Sequence, residues 1–154
     1  MAERIEKVVK IAVLNGPNLN LLGTREPALY GKETLADIER HLRGVAKQLD
    51  ADLEFAQHNG EGEMIDRIHS WRGKVDGVVI NAGAYSHSSL AIRDALSAIS
   101  VPYVEVHLTN IYAREPERRH SMLASAAMAV ICGLGAYGYE AGLRGLVRKL
   151  TPSE

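Results

Sequence analysis

Three groups of polar residues in this sequence could do acid–base chemistry together. The segment after the apolar run Val8–Leu14 carries Asn18, Arg25 and Tyr30: an amide that both donates and accepts, a permanent cation and a titratable phenol. The segment after Val75–Asn81 reads Asn81-Ala82-Gly83-Ala84-Tyr85-Ser86-His87. A third reads Glu105-Val106-His107-Leu108-Thr109-Asn110, with Arg114 and Arg118 beyond it. Imidazole exchanges protons near neutral pH, and a phenol can join it where guanidiniums favour the phenolate. A strand end rich in small residues, leading into a helix, offers backbone N–H groups to an anion. Gly and Pro punctuate the first segment at Gly16-Pro17, Gly23, Pro27 and Gly31. From Asn15 to Gly31 it outruns the roughly 12 residues beyond which a connector in a compact domain is usually functional or disordered.

Each residue also has a plain structural reading. Gly83 suits a strand-to-helix turn that needs its φ angle, with Ser86 or Ser88 as N-cap. His107 could be a satisfied histidine at a strand end, Tyr30 a half-buried anchor, and the run Arg114 to His120 a solvated charged loop. Convergence on one cleft separates the two readings.

The elements that must position these groups follow from hydrophobic pattern. Strand-like runs occur at Val8–Leu14, Leu53–Gln57, Val75–Asn81, Tyr103–His107 and Met128–Cys132, with helix-like patterns between and after them. Thr34-Leu35-Ala36-Asp37 opens the first helix as a capping-box variant, and Leu35, Ile38, Leu42, Val45 and Leu49 form its apolar stripe. A second helix, about Glu61 to Trp71, buries Met64, Ile65, Ile68 and Trp71; a third, about Ser88 to Ile99, buries Leu90, Ile92 and Leu96; a last runs from about Tyr137 to Leu150. This alternation predicts a single α/β domain: a flavodoxin-like, doubly wound, five-stranded parallel sheet, order 2-1-3-4-5, with helices on both faces. Ligands bind such sheets at the carboxyl ends of the strands, where order reverses, and all three polar segments fall on that rim.

Composition narrows the function classes. The 154 residues, 46% hydrophobic, suffice for one core without disulfides or structural metal. A net charge of −1, from 18 basic and 19 acidic residues, provides no field for nucleic-acid or anionic-membrane binding. Cys132, the single cysteine, excludes an intramolecular disulfide and a Cys-rich metal site and reads as core packing. The first residues lack an apolar signal core and no run approaches the roughly 20 apolar residues of a membrane span, so a cytoplasmic protein is expected. Gly133-Leu134-Gly135-Ala136-Tyr137-Gly138 matches G-x-G-x-x-G, but no further strand follows to supply the acidic residue of a dinucleotide site. Its glycines read instead as allowing the last helix to pack closely on the sheet.

In these same segments the sequence resembles the type II 3-dehydroquinate dehydratases: Asn15-Gly16-Pro17-Asn18-Leu19, Leu22 to Gly31, Asn81 to His87, Glu105 to Asn110 and Arg114-Glu115. The likeness runs from about Lys10 to Leu150. It implies a homo-dodecamer, a tetramer of trimers, that converts 3-dehydroquinate to 3-dehydroshikimate without metal or organic cofactor. The implied reaction is an anti elimination of water through an enolate, serving the shikimate route to chorismate and aromatic amino acids or, alternatively, quinate breakdown. By position, the resemblance makes Tyr30 the general base, Arg25 the lid arginine that stabilises the transition state, His107 the general acid, Asn18 the holder of a water that polarises the enolate, and Glu105 the group that orients His107. It assigns substrate binding to Asn81, Gly83, His87, Leu108, Thr109 and Arg118, with Asp94 reaching the site of a neighbouring subunit. Thr109 stands where the family often has Ser, and Arg114-Glu115-Pro116-Glu117-Arg118 lacks the family's aromatic residue before the last arginine. Lys32 is the one lysine in the rim segments, which argues against imine catalysis.

Overall fold

A computed structural model describes residues 7–24, 28 and 31–152 of the chain. Five strands, β1 (Lys10–Asn15), β2 (Asp52–Gln57), β3 (Gly77–Asn81), β4 (Tyr103–His107) and β5 (Ala129–Cys132), form one parallel sheet in the order β2-β1-β3-β4-β5. The flavodoxin-like order expected from the sequence is the one observed. The central strands β3 and β4 are buried along their whole length, and β1 is buried from Ile11 onward, as a sheet covered on both faces requires. Helices α1 (Leu35–Gln48) and α4 (Tyr137–Leu150) pack Ile38, Leu42, Val45, Leu143 and Leu146 against Ile11, Val13, Val79, Val104 and Val106. On the opposite face, α2 (Glu61–Ser70) and α3 (Leu90–Ile99) pack Met64, Ile68, Ile92 and Leu96 against Ala12, Leu14, Val78 and Ile80.

Local signals explain where the elements begin. The α1 capping box forms in full: Asp37 N–H donates to Thr34 Oγ1 (3.1 Å) and Thr34 N–H donates to Asp37 Oδ2 (3.0 Å). Gly138 and Gly142 let α4 lie flat on the sheet, since a Cβ at either would stand 3.2–3.3 Å from Val106 or Val104. Within the G-x-G-x-x-G run only Gly138 has that packing role. Gly133 and Gly135 have φ of +92° and +60° and shape the turn out of β5.

Several expectations need correction. Leu90 is 52% exposed, because two helical positions separate it from Ile92 by about 200° around the axis and turn it to the opposite face. Neither Ser86 nor Ser88 caps α3; Ser89 does, with Ile92 N–H donating to its Oγ at 3.0 Å. Cys132 is only half-buried. It shares a face of the edge strand β5 with Val130, which is exposed, as is Met128 just before the strand, while the alternate residues Ala129 and Ile131 pack toward the α1/α4 core.

The amino end of the sheet is pinned by Asp76. Its N–H donates to Lys10 C=O (2.7 Å), its Oδ2 accepts from Lys10 N–H (2.9 Å), and Lys7 Nζ reaches Oδ1 (2.8 Å). Burial works to raise this carboxyl, but the hydrogen bonds from Lys7 and Lys10 outweigh it and hold the group below the usual carboxylate range. A folded value below the unfolded one contributes stability above about pH 4 that is lost as pH falls through the folded value. Asp76→Asn should therefore cost up to about 1 kcal/mol at pH 7, the lysine partner being exposed, in urea melts against the parent. The difference should shrink as pH falls through the lowered folded value of Asp76. A gap unchanged at pH 2 would show that the charge is not what holds the strands.

Candidate active site

The carboxyl ends of β1, β3 and β4 meet around one cavity. After β1 the chain turns through Gly16 and Pro17 into Asn18, which adopts a left-handed conformation (φ 70°) and starts a short 3-10 turn over Leu19–Leu21. Gln57, the last residue of β2, and Asn59 just beyond it secure this turn: Asn18 N–H donates to Asn59 Oδ1 (3.0 Å), and Gln57 Nε2 donates to Gly16 C=O (3.1 Å) and to Asn59 Oδ1 (3.0 Å). The turn lies directly against the end of β3. Gly16 N–H donates to Asn81 C=O at 2.8 Å, and a Cβ on Gly16 would stand 2.3 Å from Ala82 O. Gly83 carries the positive φ (+60°) that its turn requires, 3.1 Å from Pro17 O as judged by where its Cβ would fall.

The cavity, about 120 Å³, is lined by Asn18, Asn81, Gly83, His87, His107, Leu108, Thr109, Arg114 and Arg118, with Leu19, Leu22 and Ile111 on its apolar side. A small polar molecule suits this space; a dinucleotide does not. Arg118 ends a 3-10 turn, Pro116–Arg118, in which Pro116 occupies the first position, where its missing N–H costs nothing. The Arg118 guanidinium bonds to Glu115, and the Glu115 carboxyl is held below its ordinary range by its own backbone N–H and by Arg118. The local Pro-Glu sequence thus still delivers Arg118 to the cavity.

His107 closes the floor. It is 5% exposed at the end of β4, and its Nε2 bonds to the carboxylate of Glu105, which is wholly buried. An ionised carboxylate only accepts, so this bond places a proton on Nε2 and leaves Nδ1 as the nitrogen that can exchange one with a ligand. The other Glu105 oxygen and Ser86 Oγ are buried side-chain atoms without a protein partner among the described residues. On the same face of β4, burial and then the nearby Glu105 charge push the Tyr103 phenol up, and its hydroxyl donates to Leu123 C=O (2.5 Å). His87 stacks on His107 with ring centroids 6.1 Å apart and planes 17° apart. Its Nδ1 lies 2.7 Å from His120 C=O, which can only accept, so Nδ1 donates there and Nε2 remains for the cavity.

The family model described as Dehydroquinase class II matches residues 9–147. The chain belongs to this family. A relative from Gemmatimonas aurantiaca named 3-dehydroquinate dehydratase is 70% identical over 140 residues, covering 91% of this chain and 92% of its own. A relative from Verticillium alfalfae named catabolic 3-dehydroquinase is 53% identical, covering 92% of this chain and 94% of its own. The crystal structure of a type II dehydroquinase from Butyrivibrio crossotus superposes with a TM-score of 0.88 at 40% identity, covering 90% of this chain and 97% of its own.

Of the residues singled out in this class II dehydroquinase from sequence, Asn18, Asn81, Gly83, His87, His107, Leu108, Thr109 and Arg118 share the cavity, and Glu105 lies behind it. Asp94 does not line it: it sits exposed on α3. Arg25 and Tyr30 lie outside the described residues. Sequence reasoning missed the residues that support the site, namely Gln57 and Asn59 under the Asn18 turn and Asn15 and Tyr139 behind Asn81. Gln57 and Asn59 flank the end of a strand, a positional signal that was available. Tyr139, inside an apolar helical pattern, announced nothing. Among the described residues no three His, Cys, Asp or Glu side chains gather as metal ligands, and no helix is long and apolar enough to cross a membrane.

The Gly16 contact sets the spacing of the whole site. Gly16→Ala should force the first and third strand-end turns apart, costing about 1–3 kcal/mol by overpacking and most of the activity. Gly31→Ala, where a Cβ meets nothing within 4 Å among the described residues but φ is +86°, tests backbone strain. Parent-like melting and turnover in Gly16→Ala would disprove the close-contact account.

Proposed function

We infer that this protein is a 3-dehydroquinate dehydratase, which eliminates water from 3-dehydroquinate to give 3-dehydroshikimate. The observation that carries this reading is the cavity in which His107, backed by Glu105, faces the amides, hydroxyl and guanidiniums contributed by three strand ends, in a chain 70% identical to a dehydratase.

The reaction needs a base for a proton next to a ketone, a stabiliser for the enolate and an acid for the departing hydroxyl. His107 supplies the acid: with Nε2–H held by Glu105, its Nδ1 proton passes to the hydroxyl, which leaves as water. Asn18 holds a water against the enolate oxygen, and preorganised hydrogen bonds of this kind stabilise developing charge without an imine. Asn81, His87, Thr109 and Arg118, with the backbone at Gly83 and Leu108, bind the substrate's hydroxyl and carboxylate oxygens; a guanidinium suits a carboxylate particularly well. Tyr30 is the base and Arg25 the cation that favours its phenolate, roles that rest on the family resemblance.

The same resemblance supports one catalytic domain working as a cytoplasmic dodecamer, in which the exposed Asp94 of one subunit reaches the site of another. The mass by light scattering should then approach twelve times that of one chain; a monomer would overturn this assembly. The biosynthetic role is favoured over quinate breakdown as the commoner setting of this reaction, the catabolic alternative being the one that the 53%-identical relative's name carries.

Turnover is read from ultraviolet absorbance of the conjugated enone product. The parent enzyme should form it at an undiminished rate after borohydride treatment with substrate, which inactivates imine enzymes. His107→Ala and Tyr30→Phe should each lose at least about 10²-fold in kcat while retaining substrate binding. Parent-like kcat in either variant would remove that residue from its assigned step, and absence of enone formation by the parent would sink the activity itself.

A further inference from the structure

Behind Asn81 lies a buried chain of hydrogen bonds whose direction is fixed at both ends. At one end Asn15 Nδ2 donates to Ala56 C=O (3.3 Å), a group that can only accept. Tyr139 hydroxyl donates to Asn15 Oδ1 (2.6 Å) and accepts from Asn81 Nδ2 (3.0 Å). At the other end Asn81 Oδ1 accepts from Gly83 N–H (3.2 Å), a group that can only donate. Turning over either amide would set oxygen against oxygen at one neighbour and N–H against N–H at another. The three side chains are 0–3% exposed, so water does not repair a reversed link. Burial also pushes the Tyr139 phenol far up, which keeps its proton in place.

We propose that Tyr139 is a positioning residue that locks the Asn81 amide, so that the cavity presents the second N–H of Asn81, a donor, to an oxygen of the bound substrate. Tyr139 comes from α4, on the face of the sheet opposite His107, and touches the substrate through Asn81 alone. Selectivity at this point is for an acceptor: a substrate analogue with a pure donor there meets N–H against N–H. The inference rests on Asn81 being a substrate-binding residue.

A mutant cycle in the full-length enzyme separates the two. Tyr139→Phe removes one oxygen and with it one of the two bonds that orient the Asn81 amide, leaving Gly83 N–H alone to hold it; KM for 3-dehydroquinate should rise about three- to tenfold with kcat within about twofold. Asn81→Ala should also raise KM, and the double variant should be no worse than Asn81→Ala alone. Near-UV circular dichroism and melting confirm that each variant is folded. Should Tyr139→Phe not fold, Asn15→Ala, which removes the acceptor of the Tyr139 proton, takes its place in the cycle with the same expected result. Unchanged KM in Asn81→Ala overturns the substrate-binding reading and the proposal with it. A raised KM in Asn81→Ala with an unchanged KM in the Tyr139 variant, an effect there on kcat alone, or additive effects in the double variant overturns only the proposal.

Discussion

At the point where strand order reverses, the turn leaving β1 touches the turn leaving β3 backbone to backbone. Gly16 N–H donates to Asn81 C=O at 2.8 Å, and no side chain fits between Gly16 and the carbonyl of Ala82. Everything on the rim is referenced to this contact. It puts Asn18 beside the Asn81–His87 turn and lets the end of β4 bring His107 to the same cavity. Parallel strands in this order leave a crevice at their carboxyl ends, and the Gly16 contact sets how wide that crevice is.

The second constraint is polar burial. Among the described residues Asn15, Asn81, Ser86, Ser89, Glu105 and His107 are the buried polar ones, and all but Ser89 stand at or near the carboxyl ends of the central strands. Leaving such a group without a partner costs about 1–3 kcal/mol, so the fold must satisfy the site before it can use it. Glu105 with His107, and Asn15 with Tyr139 and Asn81, do this by bonding to one another, which makes the same bonds serve stability and orientation.

Much of this was legible before any coordinates. Five apolar runs of the right length, the Thr34–Asp37 box and the α1 stripe led to the observed sheet order and to the first helix, because burial on both faces and capping leave periodic and local signatures. The errors also share a cause. Leu90, Cys132 and the cap of α3 were read from local pattern, but exposure at Leu90 depends on which face of the helix meets the sheet. Exposure at Cys132 depends on β5 being an edge strand that no helix covers on one side. The glycines of the G-x-G-x-x-G run were all read as packing residues, yet two of them serve a turn and only Gly138 serves packing.

The sequence by itself determined the element order, the family and which polar segments occupy the rim, because residue type and short-range periodicity encode those things directly. Only the tertiary structure decided which atoms face one another: that His107 rests on Glu105 through Nε2, that His87 spends Nδ1 on the carbonyl of His120, and that Tyr139, 58 positions from Asn81, orients its amide. A hydrogen bond's direction is set by donor and acceptor geometry at both ends, and partners brought together by packing from distant parts of the chain leave no spacing rule for a sequence to display.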